Sequence, residues 1–225
     1  MAGYGQYCPI ALAADIFAER WTPLIVRNLH LGCTHFGELL DGAPGLSRSL
    51  LSRRLHTLER DGVLTCARNG RGTTYALTAM GRELSDLCLA MGVWGARWCA
   101  SRAADQDPYV ALWTMAWLID PAHLPRSRVV VRFDVLRRDS PLRLWLVLGS
   151  EGNEVCVDAP GFAEDGVVVA DTSTVVRWYA GETTLAAAEE AGDARVTAPP
   201  WLEGELSRWG RLSPFAGVAP ALAGR

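Results

Sequence analysis

Apolar residues recur at intervals of three and four from Ile10 to Phe17 and from Thr22 to Leu31, which predicts two helices. The second opens on Thr22 as cap, with Pro23 in the first turn, where its missing N–H costs nothing. A third, short helix from Phe36 to Leu40 is stopped by the turn cluster Asp41-Gly42-Ala43-Pro44-Gly45. Ser47 then caps a helix from Arg48 to about Asp61, whose Leu51, Leu55 and Leu58 fall at i, i+4 and i+7 and bury one face. Ser49, Ser52, Arg53, His56 and Arg60 lie opposite, and Gly62 closes the helix. Strands from Val63 to Ala67 and from Thr74 to Leu77 flank the hairpin tip Arg68-Asn69-Gly70-Arg71-Gly72. Thr78 caps a long helix to about Trp98, and its stripe of Leu84, Leu87, Cys88, Met91 and Trp94 needs a partner surface.

Residues 101–107 lack periodicity and read as a linker ending at Pro108, so the chain divides into domains 1–100 and 108–225. Past the linker the pattern predicts a helix from Tyr109 to Ile119. Strands follow at Arg128 to Leu136, Arg143 to Gly149, Glu154 to Asp158 and Val167 to Asp171, separated by turns such as Arg138-Asp139-Ser140-Pro141 and Glu151-Gly152-Asn153. Helices from Thr174 to Tyr179 and Thr184 to Ala191, a strand at Arg195 to Thr197 and a helix from Pro200 to Trp209 complete it. The expected class is α+β, with a mainly antiparallel sheet in the second half.

Charge separates the same halves. The chain contains no Lys, and residues 1–104 hold 11 Arg against 8 acids, whereas residues 105–225 hold 11 Arg against 17. The first half therefore suits a polyanion and the second does not. Cys8, Cys33, Cys66, Cys88, Cys99 and Cys156 form no C-x-x-C pair and no zinc set, so no metal and no cofactor is expected. The longest nearly apolar run, Tyr109 to Ile119, is too short to span a bilayer, which leaves the membrane out and predicts a cytoplasmic protein with reduced thiols.

The last three helices before the Arg-tipped hairpin, together with it, stand in the order of a winged helix-turn-helix, in which the second helix of the turn motif enters the major groove of double-stranded DNA. A groove-reading helix needs one buried face to hold it and an opposite face of hydroxyls and arginines to reach phosphates and base edges. Ser47, Arg48, Ser49, Ser52, Arg53, Arg54 and His56 are the candidate contacts on the helix, and Arg68, Asn69 and Arg71 those on the wing. Taken singly, such a face is also what any solvated helix presents.

Tyr7-Cys8-Pro9-Ile10, Trp21-Thr22, Phe36-Gly37-Glu38-Leu39, Gly45-Leu46-Ser47, Leu51-Ser52-Arg53-Arg54-Leu55, Leu58-Glu59, Asp61-Gly62-Val63-Leu64, Tyr75-Ala76-Leu77-Thr78 and Gly81-Arg82-Glu83-Leu84 stand in an order that resembles the HxlR family of winged-helix regulators. The resemblance covers nearly all of residues 7–98. It implies a homodimer, formed by the N-terminal and long C-terminal helices, on a roughly palindromic operator. The wing departs from the family in lacking a Pro-containing tip. The resemblance also places Cys8 where several members carry a redox-sensing thiol, and a thiol at a helix N-terminus can be activated, although an isolated Cys is more often a small buried apolar residue.

Trp113, Trp117, Phe133, Trp145, Trp178 and Trp201 load the second half with aromatic rings that either line a ligand cavity or fill a core. Arg132-Phe133-Asp134, Ala170-Asp171, Val175-Val176-Arg177-Trp178, Gly181, Thr184-Leu185 and Ala191-Gly192 resemble the sterol-carrier-protein-2 fold, a five-stranded sheet with helices around an apolar tunnel. That resemblance implies a hydrophobic small-molecule effector with those six rings as its lining. A protein-interaction or purely architectural module is the alternative, with Cys8 then the sensor. Catalysis is not expected, since G-x-S-x-G and H-E-x-x-H are absent and His30, His35, His56 and His123 form no constellation with an acid or nucleophile.

Overall fold

The computed structural model describes residues 4–70, 72–99, 102, 105–138, 140–219 and 221. By contacts the chain divides into two compact units, Met1–Gly92 and Val93–Arg225, with the boundary inside a helix.

In the first unit, α1 (Pro9–Phe17), α2 (Thr22–His30), α3 (Phe36–Asp41) and α4 (Arg48–Arg60) precede the hairpin β1 (Leu64–Asn69) and β2 (Gly72–Leu77), and α5 (Ala79–Trp98) follows. The start of α2 differs from expectation. Thr22 is the first helical residue and is buried, and the cap position is Trp21, whose φ of +79° makes it the sole non-glycine with positive φ among the described residues. The chain turns back there within three residues, Thr22 N donating to Glu19 O at 3.0 Å, and Trp21 takes the third position of a type II turn, the one that carries a positive φ.

Asn28, fully buried on α2, holds α3 in place by donating from Nδ2 to Leu39 O (3.1 Å) while its Oδ1 accepts from Arg27 Nη2 (2.8 Å). Arg27 Nη2 also reaches Gly42 O, at 2.6 Å, so the carbonyls at the end of α3 gain side-chain donors. Leu51, Leu55 and Leu58 of α4 are buried as the periodicity requires, each contributing roughly 1.5–3 kcal/mol of apolar burial.

The β1–β2 register runs from Leu64 opposite Leu77 to Asn69 opposite Gly72. A one-residue bridge from His35 to Thr74, with Tyr75 N donating to Thr34 O at 2.8 Å, ties this hairpin to the segment before α3. Thr78 Oγ1 donates to Gly62 O (2.6 Å) and accepts from Gly81 N (3.1 Å), joining the start of α5 to the end of α4.

The second unit opens with the end of α5 and then α6 (Pro108–Leu118), capped by the Asp107 carboxylate through Tyr109 N at 2.9 Å. A five-stranded sheet is built from β3 (Arg128–Leu136), β4 (Leu142–Gly149), β5 (Glu154–Cys156), β6 (Gly166–Asp171) and β7 (Ala194–Thr197) in the order β5-β4-β3-β6-β7. Three of its pairings are antiparallel, but the central one, β3 with β6, is parallel. Between β6 and β7 lie α7 (Thr172–Tyr179) and α8 (Leu185–Ala191), and α9 (Pro200–Trp209) follows β7.

The main core fills one face of this sheet. Val131, Phe133, Leu144, Leu146 and Val168 pack with α6, α7 and α9 there, while Val130, Trp145 and Val147 form a smaller cluster that packs separately. Asn153 fastens the β4–β5 turn to the end of α6, its Nδ2 donating to Ala116 O and Ile119 O at 2.8 Å each. Among the described residues, no helix is long and apolar enough to cross a membrane, and no His, Cys, Asp and Glu cluster suited to a metal is found.

Candidate nucleic-acid interface

The exposed side of α4 is a cation-bearing surface on a fixed helix. Ser47 caps it, its Oγ accepting from Leu50 N at 3.3 Å, and Ser47, Arg48, Ser49, Ser52, Arg53 and His56 are all exposed. From Ser47 to Leu58 the sequence contains no acid, so nothing on that stretch of helix opposes a phosphate. Arg48 lies over the Phe36 ring of α3 with its guanidinium carbon 5.2 Å from the centroid, which holds the cation at the front of the helix.

Arg54 behaves differently from its neighbour. Its Nη2 sits 2.5 Å from Glu19 Oε2 and its side chain is only 17 % exposed, so it fastens α4 to the segment between α1 and α2. The helical rotation of about 100° between successive residues separates it from Arg53, which is exposed.

In the wing, Arg68 and Asn69 are exposed at the end of β1, and Arg71 lies outside the described residues. The base of β1 is joined to α4 by the Cys66 thiol, which donates to Glu59 Oε1 at 2.7 Å. That carboxylate pushes the thiol above its usual range. Glu59 was not marked by sequence as a positioning residue, because only the fold brings it to Cys66.

The HxlR-like helix-turn-helix profile matches residues 16–103. An uncharacterized HTH-type transcriptional regulator of Synechocystis sp. is 33 % identical over 104 residues, which cover 45 % of this chain and 77 % of that protein. The chain belongs to the HxlR-like family of helix-turn-helix transcriptional regulators. YvaP of Bacillus subtilis, another HTH-type regulator, is 33 % identical over 41 % of this chain and 90 % of its own length. Among solved structures, the reduced form of the transcriptional regulator YodB from B. subtilis is 26 % identical, with a TM-score of 0.37 over 42 % of this chain and 96 % of that one.

Beyond its HxlR-like region, the chain scatters the six aromatic rings singled out by sequence. Phe133 and Trp178 are fully buried and stacked, with centroids 5.9 Å apart, in the main core, and Trp201 packs against its edge under the Arg126 guanidinium. Trp113 and Trp117 pair on α6 at 5.9 Å. Trp145 belongs to the separate cluster, its Nε1 donating to Glu164 Oε1 at 2.9 Å. A hollow of about 190 Å³ lies elsewhere in the unit, beside α9, with Trp209 on its wall. Sequence carried no signal for it.

Four thiols of this HxlR-like regulator are pushed above their usual range. Burial raises Cys33 and Cys88, the latter to about 11, and burial with nearby Glu154 raises Cys156, while Cys66 is raised by its bond to Glu59. Cys8 is half-buried at the cap position of α1, where its side chain makes no capping bond.

Proposed function

We propose that the chain is a dimeric, sequence-specific DNA-binding regulator in which α4 enters the major groove and the β1–β2 wing follows the backbone. The observation that carries this reading is the exposed face of α4, free of acids from Ser47 to Leu58, over a buried leucine stripe: it offers Ser49, Ser52, Arg53 and His56 to base edges and Ser47, Arg48 and the helix N-terminus to phosphate. Arg68, Asn69 and Arg71 supply the wing. Arg54 acts in this scheme by positioning α4 rather than by touching DNA.

The dimer is formed by the helices that leave large apolar groups in water. Leu87, Met91, Trp94 and Trp98, at 44–60 % exposure, run along α5 at helical spacing, and Ile10 and Leu12 are exposed on α1. A stripe of this kind marks an association surface, and a two-fold partner matches a palindromic operator.

Residues 1–100 serve DNA binding and dimerisation, 101–107 link, and 108–225 form a sterol-carrier-like effector domain for a hydrophobic small molecule; the five-stranded sheet with helices on its main core supports that assignment. A second reading, in which Cys8 oxidation is the signal, is favoured by the position of that thiol at the start of α1, beside the exposed Ile10 of the dimer surface.

Fluorescence anisotropy on genomic fragments selected by the protein tests the assignment. Arg53→Ala weakens binding and relaxes sequence preference, whereas Arg68→Ala weakens all sequences alike and flattens the salt dependence by about one phosphate's worth. Unchanged affinity in both variants rejects the placement of α4 and the wing on DNA.

A further inference from the structure

Trp21 stands where a glycine would fold more easily. It holds the third position of the turn from Glu19 to Thr22 with φ at +79°, a conformation strained for any residue with a Cβ, and such strain persists where the side chain itself is needed. The indole makes two contacts. Its Cη2 lies 3.7 Å from the point where a Cβ on Gly45 would stand, in the turn that leads into the Ser47 cap of α4, and its face carries the Arg20 guanidinium carbon 5.2 Å from the ring centroid.

Arg20 is thereby an exposed cation one ring away from the start of α4. Its charge is not offset by a partner. Among the described residues it makes no ion pair, since the neighbouring Glu19 is taken by Arg54, and an aromatic face holds a guanidinium without neutralising it. Arg48 is mounted in the same way on Phe36 but stands close enough to Asp41 to favour that carboxyl's ionised form, so part of its field is cancelled there. The Glu19 bond to Arg54 and the Trp21 contact with Gly45 tie residues 19–21 to α4 and its leading turn, one on each side of Arg20 in the chain, so this cation keeps its place beside the helix.

We propose that Arg20 binds a DNA backbone phosphate beside the N-terminus of α4, held out to it by the Trp21 indole. The proposal rests on the placement of α4 in the major groove and adds a contact from outside both the helix and the wing. A guanidinium on an aromatic support is preorganised for a phosphate oxygen, and a phosphate carries no base identity, so Arg20 contributes affinity and salt dependence without sequence preference.

Fluorescence anisotropy of the full chain on the selected fragments, titrated at several salt concentrations, reads the contact. Arg20→Ala weakens binding about fivefold or more on every sequence alike, and it lowers the slope of log affinity against log salt by about 0.9 for each Arg20 on the DNA. Arg20→Lys keeps the slope, and the thermal melts of both variants match the parent's because the side chain is exposed. Arg60→Ala removes the same charge from the far end of α4 and leaves the slope where it was. Full affinity in Arg20→Ala, a changed sequence preference, a slope lost equally in Arg20→Lys, or one that Arg60→Ala lowers as much overturns the proposal. If Arg53→Ala and Arg68→Ala weaken binding while Arg20→Ala does not, the Arg20 contact alone is removed. If none of the three weakens it, the placement of α4 on DNA falls as well.

Discussion

Gly81, in the first turn of α5, faces the main-chain oxygen of Val63 so closely that a Cβ atom on it would lie far inside van der Waals contact, against rigid backbone. The contact sits where Thr78 Oγ1 already joins the starts and ends of α5 and α4. Gly81→Ala therefore costs about 2 kcal/mol or more despite the helix propensity it gains. Gly204, inside α9 with nothing within 4 Å of its would-be Cβ, is the contrast. Gly204→Ala gains about 0.5–1 kcal/mol, and urea denaturation of both variants reads the opposite signs.

Arg54 and Glu19 are coupled and Arg53 is not. Removing either member of the pair leaves a half-buried charge without its partner, so Arg54→Ala and Glu19→Ala each lower stability and their double-mutant cycle shows a coupling of about 1–2 kcal/mol. Arg53→Ala leaves the melt unchanged. A coupling below about 0.3 kcal/mol would mean that the pair holds nothing.

Rising alkaline pH lowers the stability of the fold through its buried thiols. Folding raises Cys88 from an ordinary 9.0 to about 11, chiefly by burial, and it raises Cys33 further. A group whose native value is raised contributes stability that is complete below its unfolded value and is lost as pH rises through the native one. The urea midpoint accordingly falls between pH 9 and 11. It falls less in the Cys33→Ala, Cys88→Ala double variant, and an equally steep fall there would assign the loss to other groups.

The α5 stripe can be tested by charge. Leu87→Glu and Met91→Glu replace exposed apolar groups, so neither disturbs a core, yet each places a carboxylate in the association surface. Native mass spectrometry and size-exclusion chromatography at matched concentration should return monomers for both variants. A dimer that survives both changes lies on some other surface.

Much of this structure was legible because burial leaves a period in the sequence. Leu51, Leu55 and Leu58 announced the buried side of α4, and Ser47 its start, since capping and helical burial are local. What depends on distant partners was not legible. Arg53 and Arg54 are chemically identical neighbours, and only Glu19, brought near by the fold, separates their roles. On β4 the alternation was hidden because Leu144, Leu146 and Leu148 and their neighbours Trp145 and Val147 are all apolar, so Trp145 could not be assigned to its cluster. The left-handed Trp21 gave no warning either, since a bulky aromatic is among the residues least expected there.

The parallel β3–β6 pair carries a consequence in time rather than in space. Val131 lies beside Gly166, about 35 residues along the chain, whereas β1 and β2 meet across a hairpin that closes locally. The central pairing is reached only after the chain has traced β4 and β5 on the other side of β3, and closing so long a loop is slow. Refolding of the second unit thus waits on one late encounter, and until it occurs the apolar edge of β3 is open to whatever strand arrives first.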